Sequence, residues 1–98
     1  MTQLLELIRL RCFAPSKQEA EAQLRMLLPA LSDSNARLFQ STEAPSDLSV
    51  HLTSPLTRPR AASASTVALR IAEALREFGQ VQHTTWVEIP TESAEQGR

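Results

Sequence analysis

The 98-residue chain predicts an α+β domain in which four strands and two helices follow one another in the order βαββαβ. Three observations carry that expectation. Strand-like runs alternate apolar with polar side chains, two intervening stretches space their apolar residues as one face of a helix does, and clusters rich in Pro, Ser and Asp separate the runs. Alternation along a strand marks a sheet with one packed face and another left for a partner, a ligand or water.

The first strand spans Leu4 to Phe13, with Leu4, Glu6, Ile8, Leu10 and Cys12 in one row and Leu5, Leu7, Arg9, Arg11 and Phe13 in the other. Both rows are largely apolar, which suits the middle of a sheet. Ala14-Pro15 ends it, and Ser16 with Glu19 reads as a capping box opening a helix. Ala20, Leu24, Leu27, Leu28 and Leu31 form the inner stripe of that helix. Pro29 forfeits a backbone bond and crowds the preceding turn, so a kink or stop is expected near Leu28.

After the turn Ser32-Asp33-Ser34-Asn35, Ala36 to Thr42 reads as a strand, Ala44-Pro45-Ser46-Asp47 as a tight connection, and Leu48 to Thr53 as the third strand. Ser54 to Ser63, with two prolines, is the longest irregular connection and is expected to be mobile. Ser63 or Ser65 then caps a helix whose inner stripe is Ala64, Val67, Ala68, Ile71, Leu75 and Phe78. Gly79 is expected to close it in a left-handed conformation. The last strand runs from Val81 to Ile89, with Val81, His83, Thr85, Val87 and Ile89 on one side and Gln82, Thr84, Trp86 and Glu88 on the other. Residues 1–90 therefore read as one domain, and 91–98 as a flexible polar tail.

Right-handed crossovers put both helices on the same side of the sheet. The arrangement is ferredoxin-like: a four-stranded antiparallel sheet, the strands from Leu4 and Leu48 central, two helices on one face. The other face is left bare with Leu5, Leu7, Phe13, Phe39 and Trp86 on it, so a second copy packed face to face is the expected partner.

Composition narrows the function classes. A net charge of -1 argues against a general nucleic-acid binder that relies on a basic field, and the central strands lack the aromatic pairs of an RNA-binding sheet. One cysteine, Cys12, excludes an internal disulfide and fits a reducing compartment. Glu6, Arg9 and Arg11 interrupt the apolar opening segment, leaving a run too short for a signal or membrane span; the expectation is a cytoplasmic protein without membrane partners. No HxH, HxxxH or CxxC spacing offers a metal site.

The element order, the short loop between the middle strands and the last strand ending in Val87-Glu88-Ile89 resemble the dimeric α/β barrels of the antibiotic biosynthesis monooxygenase type, over roughly residues 4–89. The resemblance rests on layout. It implies a homodimer and oxidation of phenolic or quinol-like compounds by molecular oxygen, with no cofactor, in a cavity between sheet and helices. The family commonly carries a tryptophan just after the third strand; here Thr53-Ser54-Pro55-Leu56 stand in that region and Trp86 lies in the last strand. The family's catalytic pattern is thus not matched.

His83 is the candidate catalytic residue. On the row facing the helices it could act as general base or hold a ligand, because free imidazole titrates near neutrality; otherwise it is a core-edge side chain bonded to backbone or water. Cys12 and Glu6 share that side, Cys12 either as packing or as part of a Cys-His pair. On the opposite face His51, Arg9 and Trp86 are the candidate ligand-binding residues, forming a cleft for a small anionic aromatic ligand; alternatively they belong to a dimer interface in which Arg9 or Arg11 pairs with Glu88. Arg58 and Arg60 precede the second helix and either hold an anion, without a glycine-rich cradle, or are solvated surface charges, the reading that the weakness of exposed pairs favours. Two readings follow: a dimeric small-molecule-binding protein with monooxygenase-like chemistry, in a pocket beside His83 not filled by Leu24, Leu28, Ile71 and Leu75, or a non-catalytic dimerisation or regulatory module.

Overall fold

The computed structural model describes residues 2–31, 35–55 and 65–91. The elements come in the expected order: β1 (Gln3–Cys12), α1 (Lys17–Leu31), β2 (Asn35–Gln40), β3 (Asp47–Pro55), α2 (Thr66–Leu75) and β4 (Gly79–Val87). The strands form one antiparallel sheet in the order β2-β3-β1-β4, so β1 and β3 are central. This is the ferredoxin-like α+β arrangement that the alternation predicts. Residues 56–64, most of the proline-bearing connection with Arg58 and Arg60, lie outside the described residues, as do the turn at 32–34 and the tail from residue 92.

Register decides which side chains share a face. Ile8 lies opposite Val50 on one side and His83 on the other, and Leu10 lies opposite Leu48 and Val81. The row Leu4, Glu6, Ile8, Leu10 and Cys12 is therefore the packed row, and every member is buried. Against it lie Ala20, Leu24 and Leu28 of α1 and Ala68, Ile71, Ala72 and Leu75 of α2, forming one core with Leu48, Val50 and Leu52. Ile8, Leu10, Leu24, Val50, Ile71 and Leu75 are almost completely enclosed. Each such side chain contributes about 1.5–3 kcal/mol of burial free energy.

Three local expectations are corrected. The first helix does not stop near Leu28: α1 runs through Pro29 to Leu31. Pro29 sits in the last turn, where it forfeits a single bond, to the Arg25 carbonyl, and little helix remains to be disturbed. At the start of α1 the turn is fixed by main-chain bonds, Ser16 N–H to the Phe13 carbonyl and Ala20 N–H to the Ser16 carbonyl, both 2.9 Å, and not by the Ser16–Glu19 side-chain pair.

Gly79 is not left-handed, since none of the described glycines has a positive φ. It opens β4 directly opposite Cys12, and a Cβ there would lie 2.0 Å from the Arg11 carbonyl oxygen. Close approach of two backbones, not a cap, requires the glycine. The α2 cap is Ser65, whose Oγ accepts from the Ala68 N–H at 3.1 Å.

Candidate functional site

Two places on the fold gather chemistry-bearing side chains, one on each face of the sheet. On the helix side, β1 contributes Glu6, β4 contributes His83, and the start of α2 contributes the Ser65 amide. Glu6 Oε1 accepts from the Ser65 N–H at 2.8 Å and lies 3.5 Å from His83 Nε2. The first contact is a hydrogen bond that places a carboxylate at a helix N-terminus, where the unpaired amides favour negative charge. The second lacks hydrogen-bond geometry, so Nε2, although buried, has no partner among the described residues.

The core beside this cluster is filled. Leu24, Leu28, Ile71 and Leu75 occupy the middle of the layer between sheet and helices. The pocket expected between sheet and helices beside His83, free of these four side chains, is therefore not found among the described residues, and His83 Nε2 is itself buried. Cys12 does not join His83. Its register partner is Gly79, while His83 pairs with Ile8, four residues back along β1, about 13 Å at the usual rise per residue. Burial, then the nearby Asp47 carboxylate, pushes the Cys12 thiol pKa up, so it packs as a neutral side chain.

The open face carries His51, Arg9 and Trp86, as the parity of the strands predicts, but it does not gather them into one cleft. His51 is half-buried, stacked on Phe39 with ring centres 4.3 Å apart, and 3.3 Å from Ser49 Oγ. It lines a hollow of about 320 Å³ with Asn35, Arg37, Phe39 and Thr53. Arg9 lines two other clefts. One, of about 270 Å³, shares Phe39 with the His51 hollow; the other, of about 160 Å³, is closed by Arg11, Gln80 and Gln82. Trp86 sits opposite Leu5 toward the other end of the sheet, exposed, with its Nε1 donating to Thr84 Oγ1 at 2.9 Å.

Asp47 is the functional-looking residue that the sequence hides. Read as part of a turn, it proves to be the first residue of β3, directly opposite Arg11 and almost fully buried. Arg9 and Arg11 reach its Oδ2 at 3.5 and 3.8 Å. Within the chain both arginines thus face Asp47, while Glu88, expected as their partner across an interface, accepts instead from the Gln3 N–H at 3.0 Å. Moving the strand start from Leu48 to Asp47 is the one step that would have revealed the pairing.

No protein-family model matches the chain, and no curated protein matches it in sequence. Solved structures do. Rv0793 of Mycobacterium tuberculosis superposes with a TM-score of 0.61 at 14% identity, over 91% of this chain and 95% of that one. A Bordetella bronchiseptica protein provisionally named an antibiotic biosynthesis monooxygenase gives 0.66 at 12% identity, over 93% and 99%. A similarly named Nitrosomonas europaea protein gives 0.65 at 8% identity, over 89% and 90%. The fold is the one these proteins share. The layout resemblance is thereby borne out, and at such identities the likeness extends to the fold alone. Among the described residues no three His, Cys, Asp or Glu side chains converge as metal ligands, and no helix is long and apolar enough to cross a membrane.

Proposed function

We propose that the chain is a small-molecule-binding protein of the cofactor-independent monooxygenase kind, acting on a small aromatic or quinol-like compound with His83 as proton acceptor. One observation carries the reading: a buried imidazole nitrogen without a hydrogen-bond partner faces a buried carboxylate at 3.5 Å. Buried polar atoms are ordinarily satisfied, and a substrate hydroxyl is a fitting partner for this one, reached once the side chains that cover it move aside. With the ring proton on Nδ1, Nε2 accepts the proton of a phenol or quinol, and the imidazolium formed is held against Glu6. The anion left behind is electron-rich and is the species that molecular oxygen oxidises. The chain's own task is then to position the ring and move one proton. The provisional names of the Bordetella and Nitrosomonas proteins support the reading at the level of fold.

The test is oxygen uptake with a panel of hydroquinones and phenols, for the native protein and for His83→Asn. Uptake that falls about 100-fold in the variant is expected for loss of a general base. Equal rates in the two proteins, or no uptake and no binding with any compound, would sink the proposal.

The proposed working form is a homodimer that buries the open sheet face in the cytoplasm, where a lone thiol stays reduced. Phe39 and Trp86, 41% and 58% exposed on that face, support it. They also favour a second reading, in which the open face serves a non-catalytic dimerisation or regulatory role and the filled helix layer holds no substrate. Sedimentation equilibrium at micromolar concentration tests the contact: Trp86→Asp should shift a dimer toward monomer, and a native monomer would contradict both dimeric readings.

A further inference from the structure

We propose that the cleft between β1 and β4 on the open sheet face is an oxyanion site, taking the phosphate or carboxylate group of a small molecule. The inference stands apart from the His83 reading, and it requires that a second copy packed on this face leave the end bearing Arg9, Arg11, Gln80 and Gln82 uncovered. It begins with an imbalance. The whole chain has a net charge of -1, yet within the four strands the open face carries Arg9, Arg11 and Arg37 against one carboxylate, Asp47.

Two of those arginines are placed as a pair. Arg9 lies opposite Gln82 and Arg11 opposite Gln80, so the four side chains form a rectangle two strands wide, enclosing about 160 Å³. Positions two apart on a strand are about 7 Å from each other, a span that two guanidinium groups close around one anion. Each guanidinium offers five N–H donors and no acceptor, and each glutamine amide adds two donors. The lining is thus rich in donors.

Asp47 does not use that capacity up. Its contacts to Arg9 and Arg11, 3.5 and 3.8 Å, are well beyond the 2.7–2.9 Å of a strong charge-assisted bond. It also lies on the β3 side of the arginines, leaving their β4 side, toward Gln80 and Gln82, to the cleft. Among the described residues no other carboxylate comes within 4.0 Å of either guanidinium. The buried Asp47 lies behind both arginines and acts as a weak internal competitor for a ligand in front.

The experiment is a heteronuclear NMR titration of the full chain with inorganic phosphate and, in a second arm, with acetate, chloride holding the ionic strength constant. Expected is a saturable shift centred on Arg9, Arg11, Gln80 and Gln82, with a midpoint in the millimolar range. Comparison of the two arms separates a phosphate from a carboxylate preference. Arg9→Gln and Arg11→Gln, both exposed positions, should each weaken binding about tenfold. Asp47→Asn removes the internal competitor and should tighten it about threefold. Shifts that never saturate, that chloride reproduces, or that persist unchanged in Arg9→Gln and Arg11→Gln would overturn the proposal. So would weaker binding by an Asp47→Asn variant whose spectrum is otherwise native.

Discussion

Replacing Gly79 by alanine asks whether two backbones meet as closely as the structure has them. The added Cβ would lie 2.0 Å from the Arg11 carbonyl oxygen, 1.4 Å short of the 3.4 Å at which ordinary contact begins, and 2.8 Å from Arg11 C and Cys12 Cα. All three neighbours are backbone atoms, so no side chain can swing away; β4 must lift from β1 at this end. Lifting it disrupts the Cys12–Gly79 pairing and the adjoining bond from the Phe13 N–H to the Phe78 carbonyl, 2.8 Å long. Each loss costs about 1 kcal/mol net. Drawing Cys12 and Phe78 partly off the core costs about 1 kcal/mol more. The expected destabilisation is about 3 kcal/mol, a large share of the 5–15 kcal/mol typical of a domain. In urea unfolding followed by circular dichroism, at a slope of about 1.5 kcal/mol/M, the midpoint should fall by about 2 M. Gln80→Ala, at the exposed neighbouring position, is the control and should move it little. A Gly79→Ala midpoint within about 0.3 M of the native one would mean that the strands do not approach so closely and that the reasoning is wrong.

Ile71→Ala should destabilise the fold by about 2–5 kcal/mol in the same assay, whereas Leu69→Ala, 54% exposed on the outer side of α2, should cost less than about 1 kcal/mol. Glu6→Ala removes the acceptor of the Ser65 N–H, which should exchange its amide hydrogen at least tenfold faster; Glu6→Gln, which keeps a carbonyl in reach, should restore part of that protection. Cys12 gives a pH signature. Its thiol pKa is raised in the fold, so its contribution to stability is full below the unfolded thiol value and is lost as pH rises through the folded one. Urea midpoints should therefore decline above about pH 8.5, and Cys12→Ala should flatten that decline.

The packed face was legible because β1 writes it twice over: the row Leu4, Ile8, Leu10 faces helices whose apolar stripes repeat at helical spacing, and a one-residue slip would invert every side chain. The same parity put His83 beneath the helices and His51, Arg9 and Trp86 on the other side. What parity cannot convey is position along the sheet. That depends on register between distant strands, and register separates Cys12 from His83, sends Trp86 to the end away from Arg9, and brings Asp47 to Arg11. Gly79 and Pro29 misled for a related reason: each residue has a strong local meaning, and tertiary context at a strand crossing and in a last helical turn replaced it. Glu6 carried no signal of its own as the mate of the Ser65 amide, because that bond joins residues 59 apart.

The central place of β1 also sets an order of events. Its two neighbours arrive late: Leu4 pairs with Ser54 on one side and with Val87 on the other. Local turns alone cannot complete this sheet, and contacts between such distant residues slow folding by delaying the return on the entropy lost in closing the chain. β3 lies nearer to β1 in sequence than β4 does, so it can dock onto β1 before residues 79–87 do. During that interval the other side of β1 is a ten-residue strand edge bordered by Leu4, Ile8 and Leu10, open to pairing with any neighbouring chain. β4, farther along the chain than β3, is thus the strand that seals the first.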